Sequence, residues 1–218
     1  MNPGKITYVP DASGVDDAAS KAGATAPANR WSIEPQQIAA DLTRRSPQAG
    51  SALLVTIDGP AGAGKSTYAA ELATGLTELG YPTAVIAMDD LYNGWDGLLD
   101  PELADNLRSW LVHPLQTGQA IRHPVFDWTQ GRYGASRELP NVSALIVEGV
   151  GAGHPALGDQ AEIRLYLEAT QSLRSERLQH RPGPPVDEWW PQWQEQESEY
   201  FNQHDPATQA DWIITSEF

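Results

Sequence analysis

Residues 51–67 read Ser51-Ala52-Leu53-Leu54-Val55-Thr56-Ile57-Asp58-Gly59-Pro60-Ala61-Gly62-Ala63-Gly64-Lys65-Ser66-Thr67, and their arrangement decides the fold. The second half matches G-x-x-x-x-G-K-[ST] at every fixed position. A β-branched apolar run precedes it, as a buried parallel strand requires. After it, Ala69, Leu72, Ala73, Leu76 and Leu79 recur at helical spacing up to Gly80, a suitable C′ residue. Glycines let the backbone turn its N–H groups around an anion, and the helix N-terminus adds partial positive charge. Lys65 is placed to reach the β- and γ-phosphates, and the Ser66 hydroxyl to ligate Mg²⁺.

The totals fit one soluble domain. At 218 residues the chain can bury one good core but not two full ones. A formal charge of −15 argues against any broad nucleic-acid or anionic-membrane surface. The absence of cysteine excludes disulfides, thiolate catalysis and cysteine-based zinc sites. Neither an apolar leader nor a run of ~18 residues long enough to cross a membrane is present, so the expected location is the cytoplasm.

Residues 1–30 are rich in Ala, Gly, Asp, Ser and Pro and are expected to be a flexible or loosely packed arm. Residues 31–218 then form the single domain. Glu34 to Arg45 has helical character. A second strand, Thr83 to Met88, runs into Asp89-Asp90-Leu91-Tyr92, and in an open parallel sheet ligands bind beyond the carboxyl ends of strands. Asp89 there is a candidate base or orienting acceptor for a hydroxyl that attacks the γ-phosphate, with Tyr92 lining the same site. The plain alternative is a solvated loop.

Asp100-Pro101 looks like the N-cap and N1 of a helix whose apolar face is Leu103, Leu107, Trp110 and Leu111. His113 to Ile121 reads as a polar excursion, and up to Pro140 there is no long periodicity. An insertion of this size, about residues 92–141, is more often a substrate-covering region than idle loop. Ala144 to Val147 is a third strand ending in Glu148-Gly149, where an acid suits Mg²⁺ contact or simply a turn. Further strands are expected at Glu162–Leu167 and Asp211–Thr215. Arg174, Arg177 and Arg181 are spaced by three and four on one helix face. They suit charge screening by a closing lid, about residues 171–187, or ion pairing with Glu176 and neighbouring acids. Trp189, Trp190, Trp193, Tyr200 and Phe201 stripe a second helix as packing, and Glu197 beside them could orient a lid arginine.

Taken in order, these segments resemble the uridine kinase branch of the P-loop kinases, which also holds phosphoribulokinase and pantothenate kinase. The likeness runs from Leu53 to the C-terminus. Asp89-Asp90-Leu91-Tyr92 is similar to the family's D-S-F-Y element; Pro114-Leu115 through Gly118, Pro124 to Trp128 and Arg132 are similar to its substrate segment; Glu148-Gly149 is similar to its E-G pair. The resemblance implies an α/β fold with a five-stranded parallel sheet, an acceptor-site insertion and an arginine lid. It implies that Gly59, Ala61, Gly62, Ala63, Gly64, Lys65, Ser66, Thr67 and Arg181 hold ATP, and that Ser66 and Glu148 hold Mg²⁺. Lys65, Asp89, Arg174 and Arg177 would be catalytic, and Asp89, Tyr92, Phe126, Asp127, Trp128 and Arg132 would meet a small-molecule acceptor. Where family members specific for uridine and cytidine carry a base-reading histidine, this chain has Gln130 or Gly131, and Phe126 replaces a tyrosine, so pyrimidine-nucleoside specificity is not implied. Residues 57–67 also resemble cytidylate kinase. A nucleoside monophosphate kinase, with Arg108, Arg122 and Arg132 as the available cations, is therefore an alternative. So is an ATP-binding module without an acceptor.

Overall fold

The computed structural model describes residues 31–45, 52–139, 142–180 and 189–216. The expected arm over 1–30, Arg181 and the rest of the expected lid from residue 182 on lie outside the described residues.

β1 (Leu53–Asp58) is buried at all six positions because it occupies the middle of the sheet. It pairs in parallel with β5 (Ala144–Glu148) on one side and β6 (Ile163–Glu168) on the other. β2 (Thr83–Ala87) and β7 (Trp212–Thr215) form the edges, giving the order β2-β5-β1-β6-β7. All four pairings are parallel, as the β-branched runs require. Side-chain alternation splits the core into two layers. Leu53, Val55, Ile57 and Ile146 face α1 (Pro35–Arg44) and α2 (Lys65–Glu78), with Trp31 in the same layer. Leu54, Leu145, Val147 and Ile86 face the opposite layer, which includes α3 (Leu103–Leu107) and α7 (Trp190–His204).

α2 stops where the sequence says it should. Gly80 takes a left-handed φ of +88°, Gly80 N–H bonds to Thr77 O and Tyr81 N–H to Leu76 O, a paired closure of the last carbonyls.

The local structure of the insertion is more regular than its sequence suggests. The regular helix runs from Leu103, and Asp100 caps the turn that leads into it: its backbone is extended, its carboxylate accepts the Glu102 N–H at 2.9 Å and its carbonyl the Leu103 N–H at 3.0 Å. His113 to Thr117 is not an excursion but a helix, α4, joined to α3 through a π-helical turn at Arg108–Val112. Leu107, Leu111 and Leu115 keep one apolar stripe running through all three pieces, and Gly118 at φ +66° ends it. Beyond it, β3 (Arg122–Asp127) and β4 (Arg132–Glu138) form an antiparallel hairpin. β4 is mostly exposed, so it carries no apolar alternation to betray it. α5 (Pro155–Gly158), α6 (Gln171–Gln179) and α8 (Pro206–Gln209) complete the architecture. Among the described residues no helix is long and apolar enough to cross a membrane.

His154 caps α5: its Nδ1 accepts the Ala156 N–H at 3.1 Å, and its ring packs 4.9 Å from that of His204. Burial first, then the charges of His204 and Arg108, hold its pKa down at about 4 against an ordinary 6.5, while Asp159 opposes them. Between those values the unfolded chain binds more protons, so the stabilisation is complete above the ordinary pKa and is lost as pH falls towards 4. After discounting for partial exposure, this loss amounts to roughly 1–2 kcal/mol. Urea unfolding at pH 7 and 4.5 should show His154→Asn, which keeps an oxygen for the Ala156 N–H, losing less stability than wild type on acidification. Equal losses would contradict the assignment.

Candidate active site

Three strand ends lie level. Ile57 of β1, Glu148 of β5 and Ala87 of β2 are register partners, so the residues that follow them emerge side by side from the same sheet edge. Adjacent strands lie ~4.8 Å apart, which puts the segment after β2 about 10 Å from the loop after β1. That loop is residues 59–64.

Gly59 sits at φ +135° with its Cα against β6, where a Cβ would fall 2.0 Å from the Leu167 carbonyl oxygen. Gly64 opens α2 at φ +97°, and a Cβ there would fall 2.9 Å from the Trp31 ring. Only glycine fits either place without moving backbone or a buried indole. Trp31 is itself held by an N–H···O bond to Glu71 at 3.1 Å and by an edge contact with Tyr68.

Lys65 begins α2 and turns back over the loop, donating to Gly59 O at 2.7 Å and Pro60 O at 2.9 Å. Burial pushes its pKa down, and the nearby carboxylates of Glu148, Asp58, Glu197 and Asp89 push it back up. The Ser66 hydroxyl donates to Glu148 Oε1 at 2.9 Å. A hydroxyl and a buried carboxylate converging at a helix N-terminus are hard oxygen ligands of the kind Mg²⁺ uses beside phosphate and water. The residues present therefore fit that ion.

The expected acceptor residues divide. Asp89 follows β2 in a short 3₁₀ turn (Met88–Asp90), and its carbonyl accepts Trp128 Nε1–H at 3.1 Å. Phe126 packs edge-on to Trp128 and Tyr133, and Tyr133 donates to Leu91 O at 2.8 Å, so the hairpin covers the Asp89 segment. Three residues sit differently from expectation. Tyr92 is fully buried, its hydroxyl donating to Val150 O and its ring against Trp193, which places it under the site. Asp127 is spent on the hairpin turn, accepting the Thr129 and Gln130 N–H groups at 2.9 and 3.0 Å. Arg132 is exposed and donates to Gln130 Oε1 at 2.8 Å.

The arginines also sit differently from a simple inward-pointing set. Arg174 Nη1 donates to Ala61 O at 3.3 Å and Arg177 Nη1 to Gly62 O at 3.1 Å, so both grip carbonyls of the loop. α6 buries no side chain, and these contacts are part of what seats it.

Two residues had no role assigned from sequence. Asp58 is fully buried and accepts from Gly59 N–H (2.6 Å), Gly151 N–H (3.2 Å), Gly153 N–H (2.7 Å) and Tyr200 O–H (2.6 Å). Burial raises its pKa, and those donors together with the Lys65 charge oppose the rise. An acid ending a fully buried strand directly before the glycine loop was the available signal. Tyr200 had been counted only as packing.

Comparison with known proteins agrees with this architecture. The family model for the methylmalonyl-CoA mutase-associated GTPase MeaB matches residues 25–99, the segment that contains the glycine loop. No curated protein sequence matches the chain. Among solved structures, a possible uridine kinase from Bacillus stearothermophilus superposes with a TM-score of 0.60 at 19% identity, covering 82% of this chain and 96% of that one. A fructose transport system kinase candidate from Silicibacter sp. TM1040 gives 0.57 at 22% identity, covering 83% and 98%. The chain has the uridine kinase-like P-loop kinase fold.

Removing the Asp58 carboxylate would strand three glycine N–H groups and a buried hydroxyl. Tyr200→Phe should cost about 1–3 kcal/mol in urea unfolding and Asp58→Asn, which turns an acceptor into a donor against Gly153 N–H, about 3–5 kcal/mol. An Asp58→Asn protein within 0.5 kcal/mol of wild type would refute the role given to this carboxylate.

Proposed function

We propose that the protein is an ATP- and Mg²⁺-dependent small-molecule kinase that transfers the γ-phosphoryl group to a hydroxyl of an uncharged metabolite. What carries this reading is the level placement of three groups at one sheet edge. These are Lys65 in the loop after β1, the Ser66–Glu148 pair beside it, and Asp89 one strand further along. The spacing leaves room for a phosphoryl group between the loop and Asp89.

In this reading the N–H groups of the loop and the α2 N-terminus bind the triphosphate, and Lys65 leaves its loop carbonyls to meet the β- and γ-phosphates. Ser66 and Glu148 would hold Mg²⁺, which when bound would supply positive charge beside the phosphates. Asp89 orients the acceptor hydroxyl and takes its proton, and the hairpin with Trp128 and Phe126 keeps water out. Arg174 and Arg177 hold the loop in shape from its carbonyl side, and from there stabilise charge developing on the transferring group.

The side chains available to a phosphorylated acceptor favour this over the nucleoside monophosphate alternative. Arg108 pairs with Asp105 and Arg122 with Glu138, all four more than half exposed, while Arg132 is bonded to Gln130. None of the three is directed at Asp89 by a described contact. Kinship of the loop segment with a GTPase family leaves guanine nucleotides as the control in every assay.

ADP release should be screened against nucleosides, nucleoside monophosphates, sugars and vitamins, with ATP and GTP as donors. Lys65→Ala should abolish turnover. Asp89→Asn should lower transfer by roughly 10²–10⁴-fold while changing nucleotide affinity little. A fully active Asp89→Asn enzyme would refute the acceptor assignment, and ATP binding without consumption in any mixture would favour a binding module.

A further inference from the structure

Helix α7 touches both halves of the site. At its middle, Glu197 Oε2 accepts the Ala61 N–H at 3.1 Å, and one turn later Tyr200 bonds to Asp58 at the base of the same loop. In the preceding turns, Gln192 and Gln196 donate to the Asp96 carboxylate, and Gln196 also donates to the Trp95 carbonyl at 2.7 Å. Trp193 meets Trp95 and Tyr92 edge-on. These positions fall on one face of the helix, so a shift at Glu197 is felt at residues 95–96, the segment that follows Asp89 and Tyr92.

The contact at Ala61 is unusual in kind. An N–H of a phosphate-cradling loop ordinarily serves an anionic ligand oxygen, and here one of the chain's own carboxylates takes it. The Glu197 side chain is only 12% exposed. Its Oε1 lies 4.0 Å from Arg174 Nη1, and Arg174 in turn holds the carbonyl of the same Ala61. Lys65 also faces Glu197, and Asp58 adds like charge. A phosphoryl oxygen and this carboxylate brought to one N–H are like charges with no proton between them, so each weakens the other's hold on it.

We propose that Glu197 is a positioning residue of the transfer reaction: its carboxylate and the terminal phosphate of the nucleotide compete for the Ala61 N–H, and α7 transmits the outcome to the Trp95–Asp96 acceptor segment. The proposal rests on the kinase reading of the loop. Displacing Glu197 makes binding of a triphosphate, more than of a diphosphate, work against a resident anion. The same displacement moves the helix carrying Trp193, so the tryptophans around Trp95 report it.

Calorimetry with Mg²⁺ and either ADP or a non-hydrolysable ATP analogue, on wild type, Glu197→Gln and Glu197→Ala, tests this. Gln keeps an oxygen for the Ala61 N–H and loses the charge; Ala removes both. The analogue should bind roughly fivefold or more tightly to either variant than to wild type, with ADP affinity changed much less. Its addition should alter tryptophan fluorescence in wild type more than in the variants. If wild type binds neither nucleotide, the nucleotide-site reading falls, and this proposal with it. If wild type binds both and the ratio of ADP to analogue affinity is the same in all three proteins, only the role of Glu197 falls.

Discussion

A buried carboxylate must be fully partnered or it destabilises the fold, and that constraint organises this molecule. Asp58 ends the central strand, and its four donors come from three places: the start of the phosphate loop, the loop after Glu148, and α7. One side chain thereby fixes the mutual position of the glycine loop, the loop after Glu148 and α7. Its location is imposed by the sheet, since only the carboxyl end of β1 meets all three. A hydrophobic residue there would pack but would leave the donors of Gly59, Gly151, Gly153 and Tyr200 without this acceptor.

Electrostatics at the same edge are finely set. Lys65 is buried among Glu148, Asp58, Glu197 and Asp89, so the protein's own acids outnumber that lysine in its immediate surroundings. A polyanionic nucleotide entering such a site needs further positive charge. On the proposed reading, Mg²⁺ at Ser66 and Glu148 supplies it, with Arg174 and Arg177 adding fixed charge from the carbonyl side of the loop. In a chain with formal charge −15, this concentration of cationic groups on one loop is the exception.

Much of the fold was legible because the relevant signals are local. The glycine loop, the apolar runs at Leu53–Asp58 and Ala144–Glu148, and the helical spacing up to Gly80 each depend on neighbours in sequence. The parallel five-stranded sheet followed from these. The insertion was harder to read. The hairpin at residues 122–138 is held by its turn and by aromatic contacts to the body of the protein, and an exposed strand has no reason to alternate. Tyr92 illustrates a different limit: sequence position suggested a ligand contact, but which way a ring turns depends on the Val150 carbonyl, 58 residues away. Asp58 was likewise invisible as a partner, since three of its donors come from distant segments, whereas Glu197, read as a residue that could orient a lid arginine, does lie 4.0 Å from Arg174 but gave no sign of its bond to the Ala61 N–H.

The most direct test of the central claim is a crystal structure with Mg²⁺ and a non-hydrolysable ATP analogue. The account predicts the phosphates inside residues 59–66, the metal on Ser66 and Glu148, and the terminal phosphate lying between Lys65 and the Asp89 carboxylate. A nucleotide bound elsewhere, or an Asp89 carboxylate turned away from the terminal phosphate, would contradict it.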